Sequence, residues 1–220
     1  MHPDNDAEGF RAARAELIAD LSRRVDDERV LAAMARVPRE EFVPPEIRSR
    51  AYENIALPIG DGQTISQPLI VAQMTSELRP RPGDRILELG TGSGYLAAVL
   101  SLLVSEVITV ERIPGLTSEA RTRLSRLGYD NVRIEQALEE LGWPEGAPYD
   151  GIIVSAGAPE LPLALLEQLR VGGRMVVPVG PIGKQNLLLA VKTEIGHQTK
   201  ELGACAFVPL FGRGAWPPSA

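Results

Sequence analysis

The sequence predicts an α/β protein: a Rossmann-like, doubly wound sheet of seven mostly parallel strands, with N-terminal helices and a C-terminal antiparallel hairpin. Three observations carry this reading. From Arg85 onward, apolar runs of strand length alternate with segments of helical period. The first run, Ile86, Leu87 and Leu89, ends in glycines at alternate positions, Gly90, Gly92 and Gly94, and passes straight into a helix-spaced segment, Tyr95, Leu96, Val99, Leu100 and Leu103. Two late runs, 186–193 and 201–208, flank a turn around Gly196 with no helix between them, the pattern of a hairpin.

The elements follow in order. Phe10, Ala13, Leu17 and Leu21 line one face of a first helix, and Val30, Leu31, Met34 and Val37 line a second, stopped by Pro38. Both read as a cover without chemistry of its own. Phe42-Val-Pro-Pro45 reads as an extended linker, because each proline restricts the residue before it. Residues 52–68 have no usable period and read as a loop. Ser66-Gln67-Pro68 then opens a helix carrying Ile70, Met74 and Leu78, with Ser66 the expected cap. Strands are expected at 85–89, 106–111, 132–136, 150–155 and 174–179, and helices at 95–104, 115–127 and 160–169. Gly128 and Gly172-Gly173 are the expected C-caps. The tail from Trp216 to Ala220 is expected to be loose. The whole reads as one domain: cover to residue 45, loop and helix at 46–80, nucleotide-binding core and hairpin at 81–212.

Composition narrows the function. A chain of 220 residues, 44% of them hydrophobic, can bury a full core. A net charge of −6 argues against a general nucleic-acid binder. No run approaches the ~18 apolar residues of a membrane helix, and the polar start is no signal peptide, so no membrane partner and a cytoplasmic monomer are expected. One cysteine, Cys205, and two distant histidines, His2 and His197, offer no metal site.

A strand that turns through glycines into a helix brings backbone close to a ligand. Glu111 ends the next strand, about 20 residues past the first glycine, where nucleotide-binding folds place an acid on ribose hydroxyls. A dinucleotide fingerprint requires glycine where Tyr95 stands, and no cation follows Arg85 before Leu103 to neutralise a pyrophosphate. The stretch suits an uncharged adenosine with a short zwitterionic tail, whose amino group Glu88 can face. It resembles motif I of class I S-adenosylmethionine-dependent methyltransferases.

Upstream, Leu57-Pro-Ile-Gly-Asp-Gly-Gln-Thr-Ile-Ser-Gln-Pro68 resembles the substrate-and-cofactor loop of the protein-L-isoaspartate O-methyltransferase family. The resemblance continues through Val37-Pro-Arg-Glu-Glu-Phe-Val43, Glu88–Tyr95, Val110–Ile113, Leu127–Val132, Leu141–Pro144, Ala147–Asp150, Ala158–Pro162, Leu169–Arg174 and Phe207–Leu210. It implies methyl transfer from S-adenosylmethionine to the α-carboxylate of L-isoaspartyl residues in damaged proteins, whose ester collapses to a succinimide. It implies Ser66 as the catalytic residue. Thr64, Ile65, Glu88, Gly90, Thr91, Gly92, Ser93, Gly94, Glu111, Arg112, Leu138 and Glu139 would meet the cofactor. Ser66, Gln67, Phe207, Val208, Pro209 and Leu210 would meet the substrate, the last four as a strand pairing with its backbone.

One departure stands out. The family carries Gly-Asp-Gly after the third strand, its aspartate accepting from the adenine amino group; here Ala137, Leu138 and Glu139 stand there. Glu139 or Gln136 is the expected substitute. The alternatives are a carboxyl methyltransferase dedicated to one peptide and a non-catalytic binder of isoaspartyl peptides or cofactor. A nicotinamide oxidoreductase is disfavoured by the glycine spacing.

Overall fold

A computed structural model describes residues 3–217. Helix α1 (Pro3–Leu21) buries Leu17 and Leu21, and α2 (Glu28–Arg36) buries Val30, Leu31 and Met34. Asp27 caps α2, its Oδ1 accepting from Arg29 N at 3.1 Å and Val30 N at 3.2 Å. The predicted linker at 42–45 is mostly not extended. Two 3₁₀ turns, Arg39–Phe42 and Pro45–Arg50, leave only Val43 and Pro44 extended. Pro45 opens the second turn, where a missing N–H costs nothing.

The loop expected at 52–68 contains a small hairpin, β1 (Leu57–Gly60) and β2 (Gln63–Ile65). Gly60 pairs with Gln63, so the turn is Asp61-Gly62, with φ of 50° and 70°. Two positive φ values make the primed turn that suits strand twist, and Asp-Gly is its sequence signature.

Ser66 does not cap α3 (Pro68–Leu78) with its side chain. Asn54 does that work from outside, its Oδ1 accepting from Leu69 N at 3.0 Å while Gln67 Nε2 donates to Asn54 O at 2.9 Å. Ser66 is thereby released from a structural duty.

The main sheet comprises β3 (Arg85–Leu89), β4 (Glu106–Glu111), β5 (Val132–Gln136), β6 (Tyr149–Val154), β7 (Leu169–Val179), β8 (Gln185–Thr193) and β9 (Gly196–Cys205), in the order β5-β4-β3-β6-β7-β8-β9. Pairing is parallel from β5 to β7 and antiparallel through β8 and β9. The chain winds outward from β3 to β5, then returns to place β6 on the other side of β3. That reversal opens a crevice at the carboxyl ends of β3 and β6, where ligands bind in such sheets. Ile86, Val107, Ile153 and Val176 pack with α1 to α3 and with α4 (Tyr95–Ser101) and α5 (Pro114–Arg126). Leu87, Ile108, Ile152 and Met175 pack on the opposite face with Trp143, Tyr149 and the short α6 (Leu163–Glu167).

Several boundaries differ from the sequence reading. Helix α6 is squeezed between Pro162 and a strand that already begins at Leu169. Gly172-Gly173 therefore lies inside β7 and caps nothing; a Cβ on Gly173 would fall 2.9 Å from Arg170 O, at the irregular register between β6 and β7. Gly128 does cap α5, at φ 77°, with Tyr129 N donating to Leu124 O at 3.0 Å. Strand β9 starts at Gly196 and stops at Cys205, because Thr193 pairs directly with Gly196 across Glu194-Ile195. Residues 206–208 are thus outside the hairpin. Trp216 is not loose: its Nε1 donates to Gly157 O and its N to Leu210 O, both at 3.0 Å. His2 and residues 218–220 lie outside the described part.

The capping assignment is checked by unfolding. Asn54→Ala is expected to cost about 1 kcal/mol, the usual price of a lost cap. Ser66→Ala, measured beside it by urea denaturation, should leave stability within ~0.5 kcal/mol of the parent.

Candidate active site

A single cleft lies over the carboxyl ends of β3, β4, β5 and β6. Its wall contains Glu88 and Gly90–Ser93 after β3, Glu111–Ile113 after β4, Ala137, Leu138 and Glu140–Gly142 after β5, and Ser155-Ala156 after β6. The β1–β2 hairpin contributes Gly62–Ser66 and the C-terminal segment Val208–Phe211.

The glycine turn is held from below. Gly90 N and Thr91 N donate to Val110 O at 2.9 and 3.3 Å, and Gly94 N to Thr91 O at 2.8 Å. Gly92 N donates to Glu111 Oε2 at 2.9 Å. Four of the turn's N–H groups are thus tied down by the protein itself. At Gly94, φ is 89° and a Cβ would meet Leu124 at 3.0 Å, so α5 packs against the turn only because no side chain is there.

Glu111 is 7% exposed, and its other oxygen accepts from Arg112 N at 2.8 Å and Ile113 N at 2.9 Å. An ionised carboxylate offers about four acceptor positions. Three are filled by backbone, which leaves one for a ligand hydroxyl. Glu88 is the opposite case. It is fully buried, and neither carboxylate oxygen has a hydrogen-bond partner. Burial pushes its pKa up to about 8; the nearby Thr109 hydroxyl pulls it down, and Glu111 adds to the rise. Such a group keeps its proton at neutral pH unless a cation is brought beside it.

Fourteen of the residues singled out from sequence meet on this wall: Thr64, Ile65, Ser66, Glu88, Gly90, Thr91, Gly92, Ser93, Glu111, Arg112, Leu138, Val208, Pro209 and Leu210. Gly94, Gln67, Phe207 and Glu139 lie off it. Gly94 is turned toward Leu124, and Gln67 holds Asn54. Phe207 is bracketed by Gln185, its N donating to Oε1 at 2.9 Å. Glu139 projects into solvent beside Arg213, 88% exposed, and Gln136 spends its amide on the carbonyls of Glu111 and Arg112. Neither expected substitute faces the cleft. Glu140 does, while also pairing with Arg213 at 3.2 Å. Sequence reading missed it, and it missed Phe211, whose ring carries the Arg112 guanidinium 4.8 Å from its centroid. The signal was present in both cases, one position beyond the residues chosen.

The segment after β9 is fixed on one edge. Val208 O accepts from Gly157 N at 2.7 Å, and Leu210 N donates to Gly157 O at 2.9 Å. Among the described residues Val208 N–H and Pro209 C=O are unpartnered, which leaves a short free stretch of backbone beside the cleft. No group of three or more His, Cys, Asp or Glu able to hold a metal occurs among the described residues, nor is any described helix long and apolar enough to cross a membrane.

The doubly wound sheet and this cleft define a class I S-adenosylmethionine-dependent methyltransferase fold. The chain belongs to the protein-L-isoaspartate(D-aspartate) O-methyltransferase family, whose sequence model matches residues 12–215. It is 51% identical over 197 residues to protein-L-isoaspartate O-methyltransferase 2 of Marinobacter nauticus, covering 89% of this chain and 90% of the relative. It is 51% identical over 210 residues to the Methanopyrus kandleri protein-L-isoaspartate O-methyltransferase, covering 92% and 93%. A solved protein-L-isoaspartate O-methyltransferase superposes with a TM-score of 0.82 at 30% identity, over 92% of this chain and 67% of that one. A Plasmodium falciparum protein solved with S-adenosyl-L-homocysteine superposes at 0.76 and 27% identity, over 88% and 95%.

The residues fit S-adenosylmethionine. Glu88 offers an orphaned carboxyl group to a cationic tail, and Glu111 a remaining acceptor position to a ribose hydroxyl.

Glu88 also sets a pH dependence. An unfolded glutamate titrates near ~4.3, and the folded one at about 8. Between these values the native state keeps a proton that the unfolded chain releases. The stability Glu88 contributes is therefore complete below the lower value and is lost as pH rises through the upper one, by roughly 1.4 kcal/mol per unit. Glu88→Gln should remove this slope. Apoprotein denaturation at pH 5 and pH 8 is expected to show the variant gaining several kcal/mol on the parent across that interval.

Proposed function

We infer that this chain transfers a methyl group from S-adenosylmethionine to the α-carboxylate of L-isoaspartyl residues in damaged proteins, the first step of repair through a succinimide. Family membership over nearly the whole chain supports the reaction. The observation in the structure that carries it is the meeting, on one cleft, of the orphaned Glu88 with Ser66 and the free backbone of Val208 and Pro209.

The acceptor carboxylate has a pKa near ~3.5 and is already anionic at neutral pH, so no general base is required. When bound, the cofactor supplies the methyl group on a sulfonium whose charge disappears as the group leaves. The protein has to position and desolvate. Ser66, with its hydroxyl free of capping, orients one carboxylate oxygen. Val208 N–H and Pro209 C=O hold an extended peptide beside it, and Pro209, with no N–H, limits the pairing to a short register. Glu88 and Glu111 hold the amino and ribose ends of the cofactor, with Arg112 and Phe211 closing the rim. The chain works as one methyltransferase domain.

The direct test offers an isoaspartyl peptide and its aspartyl twin with labelled S-adenosylmethionine. A base-labile methyl group on the isoaspartyl peptide alone is expected; equal labelling of both, or of neither, refutes the repair reading.

The far end of the cleft gives a second test. Leu138, 50% exposed on the wall, offers no acceptor to the adenine amino group, and Glu140 is the only carboxylate on that loop that borders the cleft. Leu138→Asp is expected to tighten the cofactor about fivefold, on the order of 1 kcal/mol. Glu140→Ala should loosen it and Glu139→Ala leave it unchanged. Calorimetry decides, and weaker binding by Leu138→Asp means that the base lies elsewhere.

A further inference from the structure

The N-terminal cover reaches the acceptor loop through one side chain. Arg39 is 0% exposed, although it is a cation. Its Nε donates to Ala51 O at 2.8 Å and its Nη2 to Ser66 O at 2.8 Å. The guanidinium lies over the ring of Tyr95, 4.7 Å from the centroid. Phe42, from the same 3₁₀ turn, meets that ring edge-on at 5.6 Å and 70°. Tyr95 is the first residue of α4, directly after Gly94. One planar group therefore touches the acceptor loop, the segment leading into it and the start of the helix behind the cofactor turn.

This arrangement is costly. Nη1 is buried without a hydrogen-bond partner, and burial holds the guanidinium below the usual arginine range. A well-packed apolar side chain would brace a cover at least as cheaply. What an apolar side chain lacks is a rigid fork that holds two carbonyls at fixed positions while its face lies on a ring. Of the two carbonyls held here, one belongs to Ser66, the residue whose hydroxyl faces the acceptor.

We propose that Arg39 is a positioning residue for methyl transfer: it registers the Ser66 loop against the cofactor turn through Tyr95, and so aligns acceptor with donor. The proposal rests on the reading of Ser66 given above. Displacements of about 1 Å at a reacting centre cost on the order of 100-fold in rate, so a brace of this kind acts on kcat.

The test compares Arg39→Lys, Arg39→Met, Ser66→Ala and the Arg39→Met/Ser66→Ala pair in the full chain. Cofactor affinity is read by calorimetry, and kcat and KM are read with an isoaspartyl peptide at saturating S-adenosylmethionine. Arg39→Met is expected to lower kcat about 100-fold while cofactor affinity stays within about threefold. Arg39→Lys, which keeps the charge but reaches only one carbonyl, should recover about tenfold of that loss. Ser66→Ala should cost far less in the Arg39→Met background than in the parent, because the hydroxyl is already misplaced. A kcat within threefold of the parent in Arg39→Met, or losses that simply multiply in the pair, overturns the proposal and leaves Arg39 a staple of the cover. A silent Ser66→Ala overturns the Ser66 reading alone. If Arg39→Met does not fold, Arg39→Lys decides: a tenfold fall in kcat at intact cofactor affinity supports the proposal, and parental kcat overturns it.

Discussion

Glu111 holds the cleft together. Its carboxylate accepts three backbone N–H groups, one from the turn after β3 and two from the turn after β4. Hydrogen bonds to a charged group are worth roughly 1.5–3 kcal/mol each, so this one side chain sets the spacing of two neighbouring strand ends. The rest of the wall builds on that spacing. Gly92 is drawn toward β4 and leaves room above it, where Ile59 of the β1–β2 hairpin approaches to 3.2 Å from the position a Cβ would take. Gly94 follows and lets Leu124 of α5 close against the turn. Hairpin, glycine turn and helix thereby share one anchor, and a ligand meets a preformed surface.

The two acids of this cleft are treated in opposite ways. Glu111 accepts three backbone donors and keeps one acceptor position open. Glu88, one strand away, is surrounded by a core that gives its oxygens nothing. Two carboxylates so close, one satisfied and one orphaned, divide the electrostatic work between them. The first organises the protein whether or not a ligand is present. The second is expensive until a cation arrives, so its stabilisation is spent on binding. With these two acids at its head, the site favours a cationic tail over a phosphate.

Much of this was legible in the sequence because it rests on period and spacing. Strand–helix alternation placed β3 to β6 to within one residue and the end of β7 but not its start, five residues earlier than expected, and the glycine run with Glu88 and Glu111 marked the head of the cleft. The β1–β2 hairpin was missed although Asp61-Gly62 announces it, because strands of four and three residues show no period. The cap of α3 comes from Asn54, and no local pattern reports a partner supplied from a separate turn. Arg39 was invisible for the same reason: an arginine in a charged turn reads as solvated, and only tertiary packing puts it under Tyr95. At 136–140, counting placed the loop correctly but not its side chains. Both adjacent acids pair with Arg213, far along the chain, and only Glu140 borders the cleft, which no local pattern announces.

The proposed acceptor side suggests how such a cleft tells a damaged linkage from a normal one. In an L-isoaspartyl residue the main chain runs through the former side chain, so the free carboxylate hangs directly from Cα. In aspartate the carboxylate sits one methylene further from the chain. A site that grips the peptide by its backbone therefore selects by reach. On the proposed reading Val208 and Pro209 offer one N–H and one carbonyl, and proline ends the pairing there, so an added chain is held close and in few registers. The other end of this proposed ruler is Ser66, whose backbone is tied to the cover by Arg39 and whose hydroxyl is left free because Asn54 caps α3. Discrimination then depends on the stiffness of the elements between these two points. On the proposed role of Arg39, residues that never touch a substrate, in a cover that looked inert, belong to the chemistry of the site.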